Sequence, residues 1–239
     1  MPTKKQAFAH SKAVTTSVRK PAYKGLLIVV EGVDGSGKST QLELVQNWLN
    51  SNGFATVKTD WNSSETIRPV IKTIKKNEVI ISPETFSLLH LADFAERYDK
   101  IMRGALKAGK IVLCDRYIYT AYARDTARGL TLPWIKKLYA FAPKPDLAFY
   151  FRVRPEVAIE RKTKMPNFYE AGMDQGLHTN IKKSFDAFQR KVIGAYESLA
   201  KPEGLTVIDG ETDIYVTFPK VRAAVAQVIH KKFGIHLDH

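Results

Sequence analysis

Residues 26–40, LLIVVEGVDGSGKST, decide the fold. Leu26-Leu27-Ile28-Val29-Val30 is an unbroken apolar run, the pattern of a strand buried on both faces rather than one. It passes through Glu31 into Gly32-Val33-Asp34-Gly35-Ser36-Gly37-Lys38-Ser39, followed by Thr40, which satisfies G-x-x-x-x-G-K-[ST] in full. Glycines at those points let backbone N–H groups turn inward around a phosphate without Cβ collisions. A helix opening near Lys38 adds its free N–H groups and the positive end of its dipole. Lys38 then spans β- and γ-phosphates, and the Ser39 hydroxyl holds Mg²⁺. The context fits as well, because Leu42, Val45, Trp48 and Leu49 fall on one face of the helix that follows.

Working outward, three more runs resemble the first: Ile111-Val112-Leu113-Cys114, Leu147-Ala148-Phe149-Tyr150-Phe151 and Leu205-Thr206-Val207-Ile208, with a weaker one at Ala55-Thr56-Val57. Helical spacing links Phe86, Leu89, Phe94 and Ile101 across residues 84–108. Pro155 opens another helix, Phe185, Phe188, Val192 and Tyr196 mark a third, and Val221, Val225, Val228 and Ile229 a last one. Strands without alternation, separated by helices, predict an α/β fold of three layers. Its core is a five-stranded parallel sheet flanked by helices on both faces, the P-loop NTPase arrangement. Ligands of such sheets sit beyond the carboxyl ends of the strands. The third run ends there in Asp115-Arg116-Tyr117. Asp115 can act on the metal, and Arg116 can clamp phosphate oxygens in a bidentate manner.

Composition sets outer limits. With 239 residues, 44% apolar and 26% charged, the chain reads as one globular domain. No run reaches the roughly 18 apolar residues of a membrane helix. The single cysteine, Cys114, can form no internal disulfide, which fits a reducing compartment such as the cytoplasm. The net charge of +13 favours polyanions, nucleic acid or phosphorylated small molecules alike. Residues 1–24 carry Lys4, Lys5, Lys12, Arg19, Lys20 and Lys24 and no acid. They read as a flexible basic arm, and their composition leaves organelle import open. Residues 25–239 form the domain.

EGVDGSGKSTQ, LLHLADFAERYDKIMRGALKAGKIVLCDRY, PDLAFYFRVRPEVAIER and Phe168-Tyr169-Glu170 together, in this order and spacing, resemble the thymidylate kinase family of nucleoside monophosphate kinases. The resemblance covers most of residues 25–232. It implies Mg²⁺-dependent transfer of the ATP γ-phosphoryl group to a deoxynucleoside monophosphate, usually dTMP. Under it Gly32, Val33, Asp34, Gly35, Ser36, Gly37, Lys38, Ser39 and Thr40 bind ATP, and Ser39 and Asp115 serve the metal. Lys38, Asp115, Arg116, Arg161 and Lys164 are the expected catalytic set, with a lid over residues 161–175. Asp34, Arg116, Tyr117 and Tyr169 are expected at the acceptor. A homodimer is implied too, through helix faces near Trp48 and Leu88.

Some positions depart from the family pattern. Where an Arg-Glu-Pro segment should place an acceptor-phosphate arginine, the chain reads Thr59-Asp60-Trp61-Asn62-Ser63-Ser64-Glu65, and Arg68 is the first guanidinium available. The positions for base stacking and base recognition hold His90 and Phe94, with Arg97 one turn on. Both lie on an apolar face that reads equally as core. Ser36 stands where a loop arginine can occur, so a lid cation, Arg161, Lys162 or Lys164, is expected at the transition state. Two rival readings remain at this level. One is a deoxynucleoside kinase using Glu31 as base, and the other is a P-loop ATPase or nucleic-acid switch. The scarcity of aromatics interleaved with Lys and Arg weighs against nucleic acid.

Overall fold

β1 (Leu26–Glu31) forms the middle of a five-stranded sheet and is buried along its whole length. In the computed structural model, which describes residues 23–162 and 164–237, β1 pairs in parallel with β3 (Ile111–Asp115) on one side and β4 (Leu147–Arg152) on the other. β2 (Thr56–Asp60) and β5 (Thr206–Asp209) add to the edges, giving the order β2-β3-β1-β4-β5 with every pairing parallel. The expected arm lies outside the described residues except for Tyr23 and Lys24.

Period-two alternation explains why both faces are apolar. Leu26, Ile28, Val30, Ile111, Leu113, Phe149 and Phe151 meet α1 (Lys38–Ser51) and α9 (Ile214–Phe233) through Leu42, Val45, Leu49, Val221, Val225 and Ile229. Their neighbours Leu27, Val29, Val112, Cys114, Ala148 and Tyr150 form the opposite core with Phe94, Tyr117, Phe188, Val192 and Tyr196. The two cores make the three layers expected from the sequence. Among the described residues no helix is long and apolar enough to cross a membrane.

The pattern over residues 84–108 divides in the structure. α3 (Pro83–Arg97) starts with Pro83 at its first position and Ser82 Oγ accepting the Thr85 N–H at 3.1 Å. A π-helical turn (Tyr98–Met102) follows, then α4 (Arg103–Lys107). Three further helices were not visible in the periodicity: α2 (Arg68–Lys76), α5 (Ile118–Ala127) and α6 (Leu132–Leu138). α7 (Pro155–Glu160) and α8 (Ile181–Ala200) flank the segment read as a lid, whose described residues are irregular apart from a 3₁₀ turn at Met173–Gln175.

Candidate active site

The loop leaving β1 curls at the carboxyl edge of the sheet, between β3 and β4. Gly35 must be glycine. Its φ is +81°, and a Cβ there would stand 2.9 Å from the Ala158 carbonyl oxygen and 3.2 Å from Arg161 Cβ. The turn delivers Lys38 to the buried start of α1. Burial, followed by the nearby Arg116 charge, pushes the Lys38 ammonium down to about 8.

Arg116 is bent toward this loop by its own backbone. Its φ of 73° is left-handed, a conformation non-glycine residues adopt at a cost of about 1–2 kcal/mol. The Arg116 N–H donates to Val30 O at 2.9 Å, while the guanidinium donates to Gly32 O at 2.6 Å and to Asp34 Oδ1 at 2.5 Å. Asp34 is a hub. Besides Arg116 it faces Lys162 Nζ at 3.4 Å and Arg124 at 4.0 Å. Burial favours protonating Asp34, but Arg116, Arg124, Lys38 and Lys162 outweigh it and hold the carboxyl well below the usual range. Ser39 Oγ donates to Asp115 Oδ2, and Asp115 Oδ1 is buried with no hydrogen-bond partner among the described residues.

Two cavities lie near the loop, the second connected to it through Arg124, which faces Asp34. One is lined by Ser36, Gly37, Thr40, Arg161, Gly210 and Thr217. The other brings Trp61, Lys75, His90, Arg124, Arg128 and Tyr169 together with Phe86, Asp125 and Glu170. His90 is stacked on Trp61 at 5.8 Å and sits edge-on to Phe86 at 4.4 Å, and Phe86 in turn stacks on Tyr169 at 4.5 Å. Burial and the Lys75 charge keep His90 neutral, so Nδ1–H donates to Phe86 O at 2.9 Å and Nε2 is left as an acceptor. Burial also raises the Asp125 carboxyl, to about 6, even though it accepts the Ser87 hydroxyl at 2.6 Å.

Of the expected acceptor residues, the structure brings His90 and Tyr169 into this cavity, whose wall residue Arg124 faces Asp34 at 4.0 Å. Four expectations need correcting. Phe94 has no exposed surface and packs edge-on against Tyr117 at 5.1 Å and Tyr139 at 5.3 Å, because the apolar face of α3 turns to the core. Tyr117 is equally enclosed, its hydroxyl donating to Pro143 O at 2.9 Å. Arg97 stands behind the cavity wall: Nε donates to Asp93 at 2.9 Å, NH1 to Thr59 at 3.2 Å, and the guanidinium supports the Trp61 ring at 5.7 Å. Arg68 is exposed at the start of α2, and Lys75, two turns on, is the α2 residue that lines the cavity.

The expected lid cations also separate. Arg161 donates to Gly210 O at 2.6 Å and faces the first cavity, while Lys164 is exposed beside Met165. Lys162 instead joins Asp34 to Glu170 Oε2, the latter at 3.0 Å. Lys75, Arg124, Asp125 and Arg128 were missed by sequence reading. The one sequence signal for them was the i, i+4 arginine pair following Asp115-Arg116-Tyr117.

Glu31 is no free base. Its enclosed carboxylate accepts the Tyr117 N–H at 2.8 Å, the Thr120 N–H at 3.2 Å, the Thr120 hydroxyl at 2.6 Å and the Tyr196 hydroxyl at 2.8 Å. Desolvation raises its pKa, and these donors only partly offset that. The group caps the start of α5. A Glu31→Gln variant is therefore expected to keep kcat within about tenfold, where loss of a general base would cost roughly 10²–10⁴-fold. Steady-state kinetics on the folded variant would decide.

A glycine-rich loop on a central parallel strand, a buried lysine, and an Asp–Arg pair on the neighbouring strand define a P-loop nucleotide-binding protein. The family model described as Thymidylate kinase matches residues 30–218, and the chain belongs to the thymidylate kinase family. It is 42% identical to the "Probable thymidylate kinase 2" of Saccharolobus solfataricus over 205 residues, covering 83% of this chain and 95% of that protein. It is 31% identical over 229 residues to the "Thymidylate kinase" of Trichodesmium erythraeum, covering 87% and 96%. A "Probable thymidylate kinase" of Pyrococcus horikoshii is 38% identical over 183 residues, covering 74% and 84%.

Proposed function

We propose that the chain phosphorylates dTMP with ATP, giving dTDP and ADP. The observations that carry this reading are a cavity beside Ser36, Gly37 and Thr40 of the phosphate-binding loop and a second cavity whose wall residue Arg124 faces Asp34, itself bonded to Arg116. ATP lies along Gly32–Thr40 with its base toward Thr217, and the acceptor lies against His90, Phe86 and Tyr169. Lys38 and Arg116 hold the phosphates where they meet. A phosphate oxygen of dTMP attacks the γ-phosphorus, and the bond to the β–γ bridging oxygen breaks. The acceptor phosphate is already a dianion above pH ~6, so no base is required. Positioning and charge neutralisation supply the rate.

The orphaned Asp115 Oδ1 beside Ser39 fits a cation. Those two residues would hold Mg²⁺, which when bound neutralises charge on the β- and γ-oxygens. Arg161 belongs to the donor side in this reading, and Lys162 takes the place at the junction expected of Lys164. Closure of residues 161–175, association through the exposed face of α3 around Leu88, and a separate role for residues 1–24 are part of the same proposal.

ADP release measured against dTMP, dUMP, dCMP, dGMP, UMP and thymidine tests it. dTMP is expected to give the highest kcat/KM. A preference for thymidine, or ADP release that ignores every acceptor, would overturn it.

A further inference from the structure

The acceptor cavity holds more positive charge than its own carboxylates balance. Of its cations, Arg128 is matched by buried Asp174, Nε to Oδ2 at 3.0 Å. Glu170 is taken by Lys162, and Asp125 is bonded to Ser87. Lys75 and Arg124 remain, from two different helices, facing one another across the same small space. Lys75 Nζ lies 5.6 Å from the centre of the Phe86 ring, and the carboxylate nearest Arg124 is Asp34 at 4.0 Å, the outer limit of an ion pair. Burial and the Arg124 charge push Lys75 down to about 8, and burial and the Arg116 charge lower Arg124. Both side chains are half-buried, and like charges brought together where water is scarce are stabilised by an anion between them. A monoester dianion held by Arg124 would stand near Asp34, which is bonded to Arg116.

The geometry points to Lys75 and Arg124 as the clamp for the acceptor's phosphate, one cation from α2 and one from α5. This rests on the proposed function and names the residues that select a monophosphate over a nucleoside. Arg68 does not reach the cavity, so this pair takes the part that the sequence had left to it.

Binding of dTMP and of thymidine to the full chain, measured by titration calorimetry, reads the inference. The unaltered chain is expected to bind dTMP about 100-fold more tightly than thymidine. In Lys75→Met/Arg124→Met the preference should shrink to about threefold, with the KM for ATP unchanged within a similar factor. A double variant that keeps the full preference for dTMP would overturn the clamp. Should that variant fold poorly, a pH profile of the folded chain serves instead. At saturating ATP, KM for dTMP should rise above pH 8 as Lys75 loses its proton, and the rise should vanish in Lys75→Arg, which stays charged. The groups facing Lys75 are Arg124 on α5, Arg128 just past its end, Glu170, Asp34 and His90. A rise of equal size in Lys75→Arg would exclude Lys75. Turnover of dTMP by the unaltered chain reads the proposed function separately, so either reading can fail alone.

Discussion

Replacing Lys38 by methionine is expected to lower kcat by about 10³-fold, the scale for removing one preorganised charge from a transition state. The effect is large because Lys38 is buried beside Arg116 and Asp115, where solvent cannot take over its role. The same burial makes the side chain a cost to the empty protein. Desolvation and Arg116 already weaken its proton affinity, so Lys38→Met should melt at the same temperature as the parent or slightly above it. Lysine-to-arginine exchange should not rescue activity, since a planar fork differs in shape from a compact ammonium. Assays of kcat and thermal unfolding on one preparation check both halves. A variant that is slow only because it is unstable would contradict this account.

Replacing Arg128 by methionine is expected to cost about 3–5 kcal/mol of stability, the range for breaking a buried ion pair by removing one partner. Arg128 is 7% exposed, and its guanidinium stands over Phe188 at 4.5 Å and Phe86 at 5.0 Å. NH2 donates to Tyr169 O at 2.8 Å and Nε to Asp174. Its loss leaves the Asp174 carboxylate without a counter-charge, held only by the Gln175 amide at 2.9 Å, with Oδ1 already lacking a partner among the described residues. It also frees the segment carrying Tyr169 from α5, so KM for the acceptor should rise together with the loss of stability. Urea unfolding of Arg128→Met, and of Arg128→Met/Asp174→Leu, checks the cause. The double variant should recover part of the loss, because the uncompensated charge is gone.

The fold was legible where burial leaves a local trace. Runs such as Leu26–Val30 and Leu147–Phe151 are apolar on both faces because both faces are covered, and that pattern survives in sequence. α5 escaped for the opposite reason: eight of its ten residues are buried, so no polar stripe shows the helical period. α6 is seven residues long, and α2 buries only Ile71. The phosphate loop and Asp115-Arg116 were readable because each is a contiguous string at the end of a strand. The cavity proposed for the acceptor was not, since Lys75, His90, Arg124 and Tyr169 meet only when three helices and the segment after α7 pack together. Phe94 illustrates the limit. Helical spacing identifies an apolar face but says nothing of whether it turns to a ligand or to the core.

The central claim is that two nucleotides meet end to end at Asp34 and Arg116, and that phosphate passes directly between them. Incubating the chain with Mg²⁺, dTMP and ATP labelled at its γ-phosphate tests this most directly. The account predicts that the label appears in the β-phosphate of dTDP, one for each ADP released. Label recovered as inorganic phosphate at that same rate, with dTMP unchanged, would contradict it.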